Sequence, residues 1–156
     1  MNKIEVLNFG SLNIDHVYQV PHFVAPKETL SCMDYAQFAG GKGLNQSVAL
    51  ARAGVRTAHA GKIGADGAFL EETLKLAGVD TRFLIHGTLP TGHAIIQVDR
   101  EGQNCILLYP GANRAVAREE IDSVLDRLEP GTWILLQNEI NELPYLMREA
   151  KAHGFR

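Results

Sequence analysis

The chain has 156 residues, 46% of them hydrophobic, and a formal net charge of −3, with its lysine and arginine residues scattered singly. This length suits one domain with a hydrophobic core. The net charge argues against a nucleic-acid partner. The sequence has no long apolar run and does not start like a signal peptide, which argues against a membrane segment. Cys32 and Cys105 lack the spacing of zinc or redox motifs and the histidines lack ligand spacing, so we expect a reduced, cytoplasmic protein without a metal site.

The first predicted element is a strand over residues 4–9, which Gly10 ends. Ser11, Asn13 and Asp15 alternate after it, and in extended chain this spacing places their side chains on one face. Such side chains can hold vicinal hydroxyl groups, because a carboxylate accepts from two hydroxyls and an amide both donates and accepts. A polar turn after a strand is the alternative interpretation.

A glycine-rich segment over residues 39–46 (Ala-Gly-Gly-Lys-Gly-Leu-Asn-Gln) opens a predicted helix over residues 44–53, which Gly54 closes. Glycine lets the backbone approach a ligand, and the first helical turn offers unpaired N–H groups at a positive dipole end. Lys42 and Asn45 add donors. The segment can therefore hold a polyhydroxylated or anionic small molecule, although a mobile surface loop remains the alternative.

Two familiar phosphate-binding loops are excluded here. A Walker A loop needs glycine where Ala36 stands and serine or threonine where Gly43 stands. Residues 61–67 have the wrong glycine spacing for a dinucleotide-binding fingerprint.

Strands and helices alternate along the rest of the chain. Strands are predicted over residues 57–62, 82–86 and 133–137, and helices over residues 68–77 and 143–152. Apolar residues at i, i+3, i+4 and i+7 predict a further helix; they are Ile121, Val124, Leu125 and Leu128. This alternation predicts an α/β fold, in which a parallel central sheet has helices on both faces.

Local signals refine this prediction. Asp66 is the expected N-cap of the helix over residues 68–77, and Gly78 is its expected end. The run Trp133–Leu136 is apolar throughout, which predicts a strand covered on both faces.

Four further strands are predicted near residues 15–20, 29–39, 92–99 and 104–109. They are too close together for crossover helices and resemble hairpins. We therefore expect a second, smaller sheet inserted in the α/β core.

Seven short blocks of the sequence carry a family resemblance. They are Gly-Ser-Leu-Asn-Ile-Asp at 10–15, Glu-Thr at 28–29, Gly-Gly-Lys-Gly-Leu-Asn-Gln at 40–46, Gly-Ala-Asp-Gly at 64–67, Thr-Gly at 91–92, Gly-Ala-Asn at 111–113 and Gln-Asn-Glu at 137–139. In this order and spacing they resemble the ribokinase family of carbohydrate kinases. The resemblance implies a sugar site lined by Asn13, Asp15, Gly41, Lys42, Gly43, Asn45 and Glu139. A solvated loop acid, like Glu142, is the alternative interpretation of Glu139.

The resemblance also implies an architecture and an activity. The small sheet would form a lid over the sugar and pair with the lid of a second subunit, giving a homodimer. The activity would be phosphorylation of a sugar by ATP, with D-ribose converted to ribose 5-phosphate. The full-length family uses Mg²⁺ and a monovalent cation, K⁺.

The sequence departs from the family pattern in two places. Family members carry Gly-Ala-Gly-Asp in their second half, where the Asp is the general base and nearby segments bind the nucleotide and cations. This motif is absent here, so we expect residues 1–156 to be the sugar-binding half of a truncated kinase, without catalytic, cofactor-binding or metal-binding residues and inactive alone. A non-catalytic module that binds sugar or dimerises through the lid is the alternative. Lys27 stands where the family usually has glycine, which questions the local turn.

Overall fold

The computed structural model describes residues 3–156. In chain order, the elements are β1 (Val6–Phe9), β2 (Asn13–Gln19), β3 (Asp34–Gly40), α1 (Lys42–Arg52), β4 (Thr57–Ile63), a 3₁₀ turn (Ala65–Gly67), α2 (Ala68–Leu76), β5 (Asp80–His86), β6 (Gly92–Val98), β7 (Asn104–Tyr109), a second 3₁₀ turn (Gly111–Arg114), α3 (Arg118–Leu125), β8 (Trp133–Leu136) and α4 (Leu143–Ala152). Among these described residues, no helix is both long enough and apolar enough to cross a membrane.

The strands form two separate sheets of four strands each. The central sheet has the order β5-β4-β1-β8, and all its pairings are parallel. The small sheet has the order β3-β2-β6-β7, with β2 and β6 parallel and the outer pairings antiparallel. The predicted α/β fold with an additional small sheet is therefore confirmed.

Apolar clusters cover the two faces of the central sheet. On one face, Leu7 and Phe9 of β1 pack with Ile121 of α3 and Leu146 of α4. The other face packs against α1 and α2; its fully or almost fully buried members include Leu12, Leu44, Ile63, Leu70 and Leu74. Each such side chain contributes about 1.5–3 kcal/mol of transfer free energy, so both faces hold the sheet in place.

The small sheet has one face that continues from the cavity region of the core. We call it the inner face. The register places Asn13 on it near the core, then Asp15, Phe38 and Leu108 level with one another, and Ile106 farther out. Ile14 points the opposite way and joins the α1–α2 cluster. The apolar side chains of the inner face are open to solvent, since Phe38 is 54%, Ile106 54% and Leu108 52% exposed.

Helix α2 begins differently from the prediction. It starts at Ala68 after a 3₁₀ turn, with Gly67 at the cap position and no side-chain capping bond, so the prediction of Asp66 as N-cap is wrong. Asp66 Oδ1 instead accepts hydrogen bonds from Thr91 N at 2.9 Å and Thr91 Oγ1 at 2.6 Å. Thr91 is fully buried, so its two donors require an acceptor from the protein. The N–H groups at the start of α2 can bond to water instead.

Two strand predictions also need correction. The strand predicted near 29–39 begins only at Asp34, because β2 ends at Gln19 and leaves the preceding residues without a partner strand. The prediction that β8 is buried on both faces is wrong, since Trp133 is 56% exposed. Strand β8 pairs with β1 at one end of the strand order, beyond the part of the sheet that α1 and α2 cover.

Candidate functional site

A cavity of about 170 Å³ lies where the small sheet leaves the core. It is at the carboxyl ends of β1 and β8, which is the end where open α/β sheets bind ligands. Its lining residues are Ser11, Asn13, Leu108, Pro110, Asn113, Arg114, Asn138 and Glu139. The concentration of polar groups there makes it the candidate site.

Glu139 connects the loop after β8 to the start of α1. Its Oε2 accepts hydrogen bonds from Ser11 Oγ at 2.5 Å and Lys42 N at 3.3 Å, and its Oε1 pairs with Lys42 Nζ. Partial burial would raise the pKa of Glu139, but the hydrogen bonds from Lys42 and Ser11 hold that pKa below its ordinary value. Glu139 is therefore a fixed, ionised carboxylate at neutral pH.

Glycine allows α1 to approach the loop after β1 closely. Gly41 has φ of 97°, and a Cβ on Gly43 would lie 2.5 Å from Ser11 N. The N–H of Gly43 donates to Ser11 Oγ at 3.3 Å, and the N–H of Leu44 donates to Ser11 O at 3.0 Å. The first turn of α1 thus uses its unpaired donors to position Ser11 and, through Lys42 N, Glu139.

Asp15 lies over Gly40, where a Cβ would come within 2.1 Å of Asp15 Oδ2. Burial raises the pKa of Asp15; His16 opposes this shift and the negative charge of Glu139 adds to it. The charge of Glu139 therefore reaches Asp15, while the lining of the cavity itself includes Asn13 and Glu139 but not Asp15. A ligand with several hydroxyl groups can donate hydrogen bonds to both and relieve their poor solvation.

Asn13 also faces this region, and its amide is held by Asn113. Asn113 Nδ2 donates to Asn13 Oδ1 at 2.8 Å, and both residues are buried. The site therefore combines acceptors from Asp15 and Glu139 with an amide of defined orientation.

A buried polar network lies beneath the glycine-rich segment. Asn8 Nδ2 donates to Gly43 O at 2.7 Å and to Ser47 Oγ at 3.0 Å, and Gln137 Nε2 donates to Asn8 Oδ1 at 2.7 Å. Ser47 Oγ lies 2.7 Å from Nδ1 of the fully buried His59, whose pKa is lowered by burial to about 4. Nδ1 of neutral His59 can accept a hydrogen bond from the Ser47 hydroxyl. The network therefore joins α1 to the central sheet.

The structure brings most of the site residues predicted from the sequence together. Asn13 and Glu139 line the cavity, and Asp15 lies against Gly40. The start of α1 carries the other three, Gly41, Lys42 and Gly43, beside Ser11 and Glu139. Asn45 lies one turn into α1, where its side chain is exposed and its N–H donates to Gly41 O. No side-chain hydrogen bond joins Asn45 to another of the described residues.

Other residues of the site were not among the predicted sugar contacts. They are Ser11, Asn113, Arg114 and Asn138 in the cavity, with Asn8, Ser47, His59 and Gln137 in the network beneath it. A signal exists for Asn8, which interrupts the otherwise apolar β1, and a weaker one for His59, which stands between two alanines in β4; buried polar groups need partners.

Residues 3–156 contain no group of three or more His, Cys, Asp or Glu side chains that could hold a metal ion.

Comparison with known families decides the assignment. The model of the pfkB family of carbohydrate kinases matches residues 3–149. The chain belongs to this family. The family resemblance predicted from the sequence motifs is thereby confirmed.

Curated members of the family match most of this chain. A ribokinase of Staphylococcus aureus (strain COL) is 37% identical over 160 residues, which cover 98% of this chain and 52% of the relative. A ribokinase of Haemophilus influenzae is 36% identical over 133 residues, which cover 83% of this chain and 44% of the relative. The chain spans about half the length of the curated relatives it matches.

Solved structures of the family share the fold. A ribokinase from Cryptococcus neoformans var. grubii, in complex with ADP, has a TM-score of 0.78 and 37% identity, covering 96% of this chain and 45% of that one. A ribokinase of Arabidopsis thaliana, complexed with ribose and ATP, has a TM-score of 0.79 and 26% identity, covering 96% and 52%. The chain therefore has a ribokinase-like fold over about half the length of these structures.

Proposed function

We propose that this chain supplies the sugar site and lid of a kinase that transfers the γ-phosphoryl group of ATP to D-ribose, giving ribose 5-phosphate. The observation that carries the proposal is the cavity that Asn13 and Glu139 line beside the start of α1, with Asp15 within electrostatic reach of Glu139. The ribokinase relatives, and the structure of one of them with ribose and ATP, support D-ribose as the sugar.

The chemistry of these side chains suits a sugar. Hydroxyl groups donate to the carboxylates of Asp15 and Glu139 and accept from the amide of Asn13. Hydrogen bonds to both carboxylates hold one face of the sugar in a defined orientation, which is the main contribution a binding site makes to phosphoryl transfer. Bound ATP would supply the phosphoryl group.

The small sheet is the proposed lid. Leu108 of its inner face lines the cavity, and closing this apolar surface over the sugar excludes water from the reacting hydroxyl. Phe38 and Ile106 of the same face are also exposed, and we assign them to contact with the lid of a second copy. A homodimer through the lid is therefore part of the proposal.

The sugar site is tested by calorimetric titration of D-ribose into the chain and into Glu139→Gln. The variant loses a charge-assisted acceptor worth about 1.5–3 kcal/mol, so its affinity falls about 10- to 150-fold. Glu142→Gln, three residues farther along in the same loop, serves as the control and keeps the affinity of the unmodified chain. Equal affinities for both variants would refute the assignment of Glu139.

The second candidate function is a module that binds sugar, or only dimerises, without catalysis. Residues 1–156 lack Gly-Ala-Gly-Asp, the motif that by the family resemblance would supply the general base and the anion hole. We expect the 156-residue chain alone to release no ADP from ATP with Mg²⁺, K⁺ and D-ribose. Turnover comparable to that of an intact kinase would contradict this expectation.

A further inference from the structure

Asn113 is clamped to the backbone of Leu12. Its Oδ1 accepts from Leu12 N at 3.0 Å, and its Nδ2 donates to Leu12 O at 3.1 Å. The backbone N–H of Leu12 can only donate and its C=O can only accept, so this pairing allows only one orientation of the Asn113 amide. Asn113 is 2% exposed, and water cannot replace either bond.

The second hydrogen on Asn113 Nδ2 sets the orientation of Asn13. This hydrogen points at the side chain of Asn13, which is 7% exposed. Asn13 must therefore present its oxygen, and the distance from Asn113 Nδ2 to Asn13 Oδ1 is 2.8 Å. The NH₂ group of Asn13 is then the end that remains for the cavity, and no hydrogen bond ties it to another of the described residues.

Gly92 leaves the space that this arrangement needs. A Cβ at Gly92 would lie 2.2 Å from Asn113 Nδ2 and 2.4 Å from Asn13 Oδ1. Any other residue at this position would therefore push the two amides apart. The Thr-Gly block at 91–92 and the Gly-Ala-Asn block at 111–113 thus converge on one pair of side chains.

We infer that Asn113 is a positioning residue which makes Asn13 a donor-only contact, so that the cavity selects ligands with a hydroxyl oxygen able to accept a hydrogen bond there. The Leu12 backbone fixes the orientation of the Asn113 amide, and Asn113 in turn fixes the orientation of the Asn13 amide. Asp15 and Glu139 accept, and Asn13 alone of these three donates. The inference deepens the proposed function and rests on it for the identity of the ligand.

Side-chain amide exchange in D₂O, followed by NMR on the unmodified chain, tests the orientation without any ligand. Both Asn113 hydrogens are donated, so they exchange about tenfold or more slowly than those of Asn13, which face the cavity. Protected Asn13 hydrogens together with fast exchange at Asn113 would overturn the inference. This result does not depend on whether the chain binds sugar or whether a variant folds.

Asn113→Asp tests the consequence for binding. The new carboxylate still accepts from Leu12 N but has no hydrogen for Asn13 Oδ1, so the Asn13 amide turns, its hydrogens become protected, and its oxygen faces the cavity. Affinity for D-ribose, measured by calorimetry, falls about tenfold or more although residue 113 need not touch the sugar.

Asn141→Asp is the matched control. Asn141 makes the same kind of clamp, since its Oδ1 accepts from Val116 N at 3.0 Å and its Nδ2 donates to Val116 O at 2.8 Å, but its side chain does not bond to Asn13. This variant keeps the affinity of the unmodified chain.

If Asn113→Asp turns the Asn13 amide yet binds D-ribose as before, the selective role of Asn13 is wrong. If the unmodified chain binds no sugar but shows the expected exchange, the proposed function fails and the orientation stands.

Discussion

Lys27 has a backbone conformation that favours glycine. Its φ is 69°, in a turn where Glu28 N donates to Ala25 O at 3.1 Å and Pro26 precedes it. A turn with proline followed by a residue of positive φ usually has glycine in the second position. This explains why the family resemblance places glycine where this chain has lysine.

Lys27→Gly is therefore expected to stabilise the chain by about 0.5–1 kcal/mol, because the relief of left-handed strain exceeds the extra entropy of glycine in the unfolded state. Urea unfolding measures the difference. Lys27→Ala removes the same charge but keeps the strain, and it should not be more stable than the lysine form. Equal stability of the glycine and alanine variants would show that the turn carries no strain.

Asp15 and Glu139 have pKa shifts of opposite direction, and these predict opposite effects on stability. The raised pKa of Asp15 means that the folded chain holds this proton more tightly, so the free energy of unfolding falls as pH rises from about 3.9 through the raised value. The lowered pKa of Glu139 adds stability above about 4.3, and this is lost as pH falls through the folded value.

Asp15→Asn should thus unfold at higher urea than the unmodified chain at about pH 7, and the gain should vanish at about pH 3, below the unfolded pKa. The same variant should bind D-ribose about 10- to 150-fold more weakly in calorimetry, since a charge-assisted acceptor is lost. Asp66→Asn, whose oxygen can still accept from Thr91, is the control for affinity. Equal affinities would reduce Asp15 to a turn residue.

At the scale of elements, the contact between α1 and the loop after β1 depends on Gly43. In an ordinary helical position glycine to alanine stabilises by about 1 kcal/mol. Here a Cβ would lie 2.5 Å from Ser11 N and 2.6 Å from Gly10 C, both backbone atoms that cannot rotate away.

Gly43→Ala should consequently destabilise the chain, by about 1–3 kcal/mol in urea unfolding, and should weaken sugar binding by displacing Ser11 from Glu139. Gly54→Ala provides the comparison, because no atom lies within 4 Å of a Cβ there and only its positive φ is strained. That variant should lose about 1–2 kcal/mol without any change in sugar affinity. A Gly43→Ala chain of unchanged affinity would contradict the close approach.

The elements with local signals were predictable from the sequence. Helix α4 has the predicted bounds, and glycines with positive φ follow α1 and α2 at Gly54 and Gly78 as expected. The covering of β8 was not predictable, because an apolar run does not reveal which helices reach its faces. The partner of Asp66 was missed for a similar reason, since Thr91 is 25 residues away along the chain.

The candidate site was predictable only in part. The motifs indicated Asn13, Asp15 and Glu139, whose residue types suit hydroxyl groups. The bonds that orient the site join distant parts of the chain, since Ser11 and Glu139 are 128 positions apart and Leu12 and Asn113 are 101 positions apart. No local pattern encodes such pairings, so they follow only from the topology.

At the scale of the whole molecule, the inner face of the small sheet should determine self-association. Phe38 and Ile106 expose apolar side chains on this face, and burying them against a second copy would stabilise a dimer. The double variant Phe38→Ser and Ile106→Ser should shift the chain toward monomer in size-exclusion chromatography with light scattering. Leu76→Ser, an isolated and more exposed apolar residue on α2, should leave the oligomeric state unchanged. A monomeric unmodified chain would contradict the lid dimer.

A crystal structure of the chain grown with saturating D-ribose tests the assignment of the sugar site most directly. We expect one sugar in the cavity that lies between the start of α1 and the place where the small sheet leaves the core. Its hydroxyl groups should lie within about 2.5–3.2 Å of the carboxylates of Asp15 and Glu139 and of the nitrogen of the Asn13 amide. A sugar bound elsewhere, or a cavity that holds only water at saturating D-ribose, would contradict the claim that these residues form the sugar site.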